Sequence, residues 1–436
     1  MKLEVYVEQR SVAILESQGD FKSILTYDRD IGTSDFVSLT MPVRTESYVW
    51  DDQIHPIFRM NLPEGYLLQV LEERFGPLIG ASPIKLLAIV GRNMVGRLQV
   101  APPGSNLNEP IRALDVAALL QGDNSERPFA ELVREYATSG VSGVVPKFLD
   151  ADTPTPTLSR HNKTTFLTRR HIIKGASKHL PYISLNESLA MEVSSKVAET
   201  ATTRISQDGQ ALVVDRFDVD EAGQPHYGLE DFCVLLGLRP AAKYETTWER
   251  IAKAVRTHVP GSRLQETYVH LAKTILLTYA LRNADCHAKN IALLYTSRED
   301  VEIAPVFDIL TTNVYPRHQD SPPGISFMGK RTWNPGKSLG KFLTTTFNIS
   351  LSEQRQLIEK ISDAVADVGP SVRKAMIAHP DFRDIGKRLL ASWNEGVMGL
   401  RDKKSFGLSH WSPGESFTGF SDPPKMKVPK RVVGKS

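Results

Sequence analysis

The chain has 436 residues, 41% hydrophobic and 24% charged, the balance of a globular protein large enough for two or three cores. A formal net charge of +3 excludes a chain that binds nucleic acid through its overall electrostatics. Two cysteines, Cys233 and Cys286, exclude a disulfide framework and lead us to expect a reducing, cytoplasmic setting; with no apolar run near the ~20 residues of a membrane helix, no membrane contact is expected.

Met1-Lys2-Leu3-Glu4-Val5-Tyr6-Val7-Glu8 alternates like a strand and lacks the apolar region of a signal peptide. Short strands and a helix near residues 64–75 follow, and Pro102-Pro103-Gly104-Ser105-Asn106 marks a boundary. Residues 105–232 mix helix and strand. Phe166-Leu167-Thr168 and His171-Ile172-Ile173-Lys174 read as strand, as does Ala211-Leu212-Val213-Val214-Asp215 running into Arg216-Phe217-Asp218. Between them Ser184-Leu185-Asn186-Glu187 has capping-box spacing and opens a helix to about Glu199. Residues 233–412 are mostly helical: Leu264, Tyr268, Leu271, Ile275 and Tyr279 define one buried face, and Leu357, Ile361 and Val365 another. Residues 413–436 form a tail carrying Lys425, Lys427, Lys430, Arg431 and Lys435, by default a solvated end, with contact to a nucleic-acid backbone as the sharper alternative.

The chemistry concentrates in Asp285-Cys286-His287-Ala288-Lys289-Asn290. An Asp five residues before an Asn is the spacing of a kinase catalytic loop, where the Asp directs the attacking hydroxyl and the Asn holds magnesium. The following residues read as two strands around Thr296-Ser297-Arg298-Glu299-Asp300, a hairpin that would return Asp308 beside Asn290. Upstream, Ser139-Gly140-Val141-Ser142-Gly143-Val144-Val145-Pro146-Lys147 is a small glycine-bearing loop whose N–H groups suit phosphate oxygens, with Lys147 as an added charge. Lys174, at the end of a strand, suits the α/β-phosphates of ATP. Backbone near Asp215 and Phe217 suits adenine. Glu187 has two readings, an ion pair with Lys174 or a cap on its own helix. Cys286 reads as a buried, inert thiol. Residues 315–338, rich in Pro and Gly, read as a surface loop or a substrate-contacting segment. Each feature alone is common; their order is what carries information.

These residues resemble the HipA family, serine/threonine kinase toxins of bacterial toxin–antitoxin modules. The likeness rests on Ser142-Gly143-Val144-Val145-Pro146-Lys147, His171-Ile172-Ile173-Lys174, Val214-Asp215-Arg216-Phe217-Asp218, Asn283-Ala284-Asp285-Cys286-His287-Ala288-Lys289-Asn290 and Pro305-Val306-Phe307-Asp308-Ile309. Asn61-Leu62-Pro63-Glu64-Gly65 resembles the family's N-terminal subdomain, and Gly91-Arg92-Asn93-Met94-Val95-Gly96 a glycine-bearing hairpin there. The likeness runs over about residues 3–400. It implies an α+β, bilobal protein-kinase-like fold. An extra N-terminal α+β subdomain (1–104) would precede an N-lobe (105–232) and a mostly helical C-lobe (233–412).

The resemblance also implies roles. Asp285 would be the catalytic base, and Asn290 and Asp308 the Mg²⁺ ligands. Lys174, His287, Asn290 and Asp308 would meet ATP. Ser142, Gly143, Val144 and Lys147 would form the phosphate loop, and Asp215 and Phe217 the hinge. Two departures stand out. Val145 replaces a Gln common in the family, and the best-known self-phosphorylated serine falls at Gly140, leaving Ser139 and Ser142 as candidates. The implied partners are a HipB-like DNA-binding antitoxin, operator DNA mainly through it, and an aminoacyl-tRNA synthetase as substrate. A small-molecule or lipid phosphotransferase and a catalytically silent antitoxin-binding corepressor are the alternatives.

Overall fold

The computed structural model describes residues 1–19, 21–63, 65–79, 82–107, 114–139, 164–175, 179–402 and 406–417. The chain opens on an antiparallel sheet of β1 (Lys2–Val7), β2 (Arg10–Gln18), β3 (Lys22–Tyr27), β4 (Tyr48–Trp50) and β5 (Leu98–Ala101), in the order β4-β3-β2-β1-β5. The alternation expected at the N-terminus is present: Leu3, Val5 and Val7 are buried, with Val5 opposite both Ala13 and Val100. Helices α1 (Pro56–Arg59), α2 (Gly65–Ile79) and α3 (Pro83–Val90) lie between β4 and β5, and Ile57, Phe58, Ile84 and Leu87 pack into the same core. The hairpin expected over residues 91–96 is not formed. Those residues are the turn from α3 into β5; Gly91 N bonds to Leu87 O as the helix cap, and Asn93 N to Val90 O. A side chain at Gly91 would meet Val100 O at 2.4 Å, so glycine permits the close approach of helix and strand.

Helices α4 (Val116–Gln121) and α5 (Glu126–Ser139) lead to a second antiparallel sheet, β6-β7-β9-β8. Its strands are β6 (Thr164–Leu167), β7 (His171–Gly175), β8 (Thr203–Ile205) and β9 (Leu212–Asp215), and helix α6 (Ile183–Ser195) packs beside it. The expected capping box at 184–187 does not form. Tyr182, with a left-handed φ of 54°, precedes the helix, so Ser184 already lies inside it and donates to Gln210 O at 2.8 Å. Glu187 is thereby turned inward, 1% exposed.

The third unit contains a sheet of β10 (Gly228–Asp231), β11 (Ala292–Tyr295) and β12 (Val301–Ile303). The hairpin expected after the Asp/Asn loop is its β11–β12 pair, with Tyr295 opposite Val301 and Leu293 opposite Ile303. Around it stand α7 (Phe232–Leu235), α8 (Trp248–His258), α9 (Leu264–Ala280), α10 (Lys337–Phe347), α11 (Leu351–Ala378) and α12 (Arg383–Leu400). Tyr268, Leu271, Ile275 and Tyr279 of α9 are buried, as their spacing predicts. Gly396 lets α12 cross α9 closely, since a Cβ there would lie 2.1 Å from Ala280 O. Ser350 and Glu353 form a complete capping box that starts α11. Among the described residues no helix is long and apolar enough to cross a membrane. The basic tail after Ser421 lies outside the described residues.

Buried polar contacts fasten the N-terminal unit to both other parts. Arg216 and Asp218, each side chain 2% exposed, pair at 2.5 Å. Arg216 donates to Met94 O and Thr168 O, and Asp218 accepts from Gly96 N at 2.7 Å. Glu230 of β10, fully buried, accepts from Ser38 Oγ, Leu39 N and Tyr295 Oη. Arg97 donates to Thr296 O, Ser34 O and Phe36 O.

Candidate active site

The described residues enclose a cleft of about 920 Å³ between the second sheet and the helical unit. Lys174 enters from the end of β7, Asp285, His287 and Asn290 from the loop after α9, and Phe307 and Asp308 from the chain leaving β12. Met60, Asn61, Leu62 and Asn93 show that the N-terminal unit supplies one wall.

The Asp/Asn loop is fixed by its own backbone. Arg282 adopts a left-handed φ of 54° after α9 ends, turning the chain sharply. Asp285 N then donates to Asn283 Oδ1 (3.0 Å), and Ala284 N to Thr312 Oγ1 (2.8 Å). Asn290 Nδ2 donates to Asp285 O at 2.9 Å, which closes the loop on itself. The five-residue spacing read in the sequence is the span needed for that closure.

Lys174 is the centre of charge. Its ammonium lies 2.5 Å from Glu187 Oε1 and 3.5 Å from Asp308 Oδ1, and donates to Phe307 O at 3.3 Å. Of the two readings of Glu187, the ion pair is therefore the one formed. Breaking such a buried pair from one side costs about 3–5 kcal/mol, so the lysine is held firmly. A cation fixed between two carboxylates at the wall of a cleft is suited to a polyanionic ligand.

Asp285 accepts a hydrogen bond from the Tyr244 hydroxyl at 2.5 Å, and His287 Nε2 lies 3.7 Å from the same carboxylate oxygen. Burial pushes the His287 imidazole down to about 4, although Asp285 pulls it upward, so it is neutral near pH 7. Burial pushes the Cys286 thiol up to about 12, in keeping with an inert side chain.

The donor set fits a magnesium ion. Magnesium takes oxygen ligands, and its protein sites use one or two carboxylates completed by water and phosphate oxygens. Asp308 offers a carboxylate. Asn290 offers its carboxamide oxygen, since its NH₂ group is turned to Asp285 O. Among the described residues no group of three or more His, Cys, Asp or Glu is placed to hold a metal ion, so Asn290 and Asp308 would need water and phosphate oxygens beside them.

The other expected site residues lie elsewhere or outside view. The Asp215 carboxylate is engaged by Arg204 (2.9 Å) and His171 (3.6 Å), and the Phe217 ring packs on Phe307 at 5.8 Å; neither residue lines the cleft. Ser142, Gly143, Val144 and Lys147 are outside the described residues, and Ser139 is the last residue of α5. Of residues 315–338, Tyr315, His318, Ser321, Pro322 and Arg331 line the cleft. Gly324 presses on the Asp/Asn loop, where an added Cβ would lie 2.1 Å from Cys286 O. Sequence reasoning missed Tyr244, Thr312 and Gly324. Their partners are 28 to 41 positions away in two of these cases, and no local pattern marks such contacts.

Comparison with known proteins agrees with this geometry. A protein of Sinorhizobium fredii (strain NBRC 101917 / NGR234) named "Putative kinase Y4mE" is 27% identical over 320 residues, 68% of this chain and 72% of that one. A protein of Haemophilus influenzae (strain ATCC 51907 / DSM 11121 / KW20 / Rd) named "Putative kinase" is 24% identical over 161 residues, 34% of this chain and 46% of that one. The solved complex of the Shewanella oneidensis MR-1 toxin–antitoxin system HipA, HipB and its operator DNA contains a chain of like fold. Its TM-score is 0.64 at 17% identity, covering 93% of this chain and 98% of that one. Residues 3–101 match the HipA N-terminal domain and residues 139–370 the HipA-like C-terminal domain, so the two matches take in both the added N-terminal unit and the cleft. The chain belongs to the HipA family.

Proposed function

We propose that the protein is an ATP- and Mg²⁺-dependent protein serine/threonine kinase, the toxin of a toxin–antitoxin module. The observation that carries this reading is the Lys174–Glu187 pair at 2.5 Å with Asp308 at 3.5 Å, facing Asp285 and Asn290 across one cleft. That constellation is the one phosphoryl transfer requires: a fixed cation for nucleotide phosphates, oxygen donors for a metal, and a carboxylate for the acceptor hydroxyl.

In the proposed reaction Lys174 holds the phosphates of ATP while Glu187 keeps its ammonium in place. Asp285 takes the proton of a protein hydroxyl as the new O–P bond forms and the bond from the γ-phosphorus to ADP breaks. Magnesium, bound by Asn290 and Asp308, would neutralise charge on the phosphate oxygens. Residues 315–338, several of which line the cleft, suit contact with the acceptor protein. A HipB-like antitoxin, and operator DNA through it, are proposed partners on the strength of family membership and of the complex in which the like-folded Shewanella chain sits. An aminoacyl-tRNA synthetase is the proposed acceptor, with growth arrest as the outcome.

Phosphoproteomics after expression of wild type and Asp285→Ala tests the reading. New phosphoserine or phosphothreonine on host proteins with wild type alone is expected. Phosphorylated small molecules or lipids without protein targets would instead favour a small-molecule enzyme. Identical profiles for both forms would leave an antitoxin-binding corepressor.

A further inference from the structure

We infer that Tyr244 is a positioning residue for Asp285, a role that rests on the kinase reading above. Its phenol donates to Asp285 Oδ1 at 2.5 Å from a connector between α7 and α8, 41 positions upstream. Both residues line the cleft. The connector is tied down at both ends. Ala288 N donates to Lys243 O at 3.0 Å, which joins the backbone beside Tyr244 to the catalytic loop itself. The Tyr244 ring meets the His287 ring edge to face at 5.0 Å. At the far end of the connector, Trp248 N donates to Ser326 O at 2.9 Å, and Met328 N to Glu249 Oε1 at 2.6 Å. One short segment thus joins the base, the catalytic loop and residues 315–338.

A hydroxyl donor fixes the rotation of the carboxylate it binds, and a base that is aimed loses less in orientation when the acceptor arrives. Tyr244 therefore holds the Asp285 carboxylate in one orientation at the wall of the cleft.

Tyr244→Phe removes the donor and keeps the ring against His287. With full-length protein, transfer from γ-labelled ATP to casein or to the protein itself is followed as a function of ATP and casein concentration. In Tyr244→Phe kcat is expected about 10-fold lower than in wild type with the KM for ATP unchanged, because the ring stays and only the aim of the base is lost. Urea midpoints of the two proteins stay together, which separates positioning from a folding defect. Equal kcat in the two proteins overturns the inference while leaving the kinase reading intact. A wild-type protein that transfers no phosphate to casein or to itself overturns the kinase reading and the inference with it.

Discussion

Lys174 and Glu187 meet at 2.5 Å, from the end of β7 and the first turns of α6, and the pair ties the sheet to the helix beside the cleft. Glu187→Ala should leave the buried ammonium with Asp308 and the Phe307 carbonyl. Stability should fall by about 3 kcal/mol in urea titration, and ATP affinity should weaken in calorimetry. Unchanged affinity would show that Lys174 does not meet the nucleotide.

Asp285→Ala should reduce phosphoryl transfer by about 10²–10⁴-fold with the urea midpoint retained. Asp308→Ala should weaken Mg²⁺–ATP binding as well as turnover, because it removes a carboxylate proposed to hold the metal. Near-normal transfer in Asp285→Ala would remove it from the reaction.

Asp218→Ala should strand a buried guanidinium. Arg216 would keep its carbonyl partners Met94 O and Thr168 O but lose its counter-charge, and Gly96 N would lose its acceptor. A loss of about 3–5 kcal/mol is expected in chemical unfolding. The double variant Arg216→Met with Asp218→Leu should recover much of it, since apolar pairs of similar volume often replace buried ion pairs without loss. A double variant no better than Asp218→Ala would show that the hydrogen bonds, and not the charge, dominate.

Gly324→Ala should push on the Asp/Asn loop, with Cys286 O and Ala284 O at 2.1 and 2.9 Å from the new Cβ. Backbone cannot swing aside as a side chain can, so the loop itself must move. Transfer is expected to drop about 10–100-fold. Gly261→Ala, where a Cβ meets nothing within 4 Å, serves as the control with ordinary activity.

Acid should destabilise the fold through its buried histidines. Burial pushes His55 and His270 down to about 4. His55 must also stay unprotonated at Nδ1, which accepts from Ile57 N to cap α1. Between the ordinary value of 6.5 and about 4 the unfolded chain binds the extra protons. Stability is therefore full above about pH 6.5 and falls as pH drops, by up to about 3 kcal/mol per histidine. Urea midpoints at pH 7, 6 and 5 should fall in step, and less steeply in His55→Asn, which keeps a cap acceptor that does not titrate. Parallel slopes for the two proteins would clear His55.

What could be read in the sequence was what is local. The β11–β12 hairpin, the buried face of α9 and the strand ending in Lys174 each announce themselves within a few residues, through alternation, helical spacing or turn chemistry. The capping-box pattern at Ser184 misled for the same reason, since the pattern exists and the helix simply begins two residues earlier, with a left-handed Tyr182 at its N-cap. Arg216 and Asp218 stood in a motif read as hinge, yet the partners that make them structural, Met94 and Gly96, lie 122 positions away. Tyr244 and Gly324 follow the same logic. A lone phenol and a lone glycine say nothing until folding brings the Asp/Asn loop against them.

The N-terminal unit grips Arg216 and Asp218 on one side of the cleft and Glu230 and the Thr296 carbonyl on the other. Two-lobed enzymes usually admit and release nucleotide by swinging about a hinge. Here a strut spans that hinge, and wide rotation would bring an ion pair and a carboxylate out of their burial. Opening of that kind would therefore carry the cost of breaking buried polar contacts that lie outside the cleft itself.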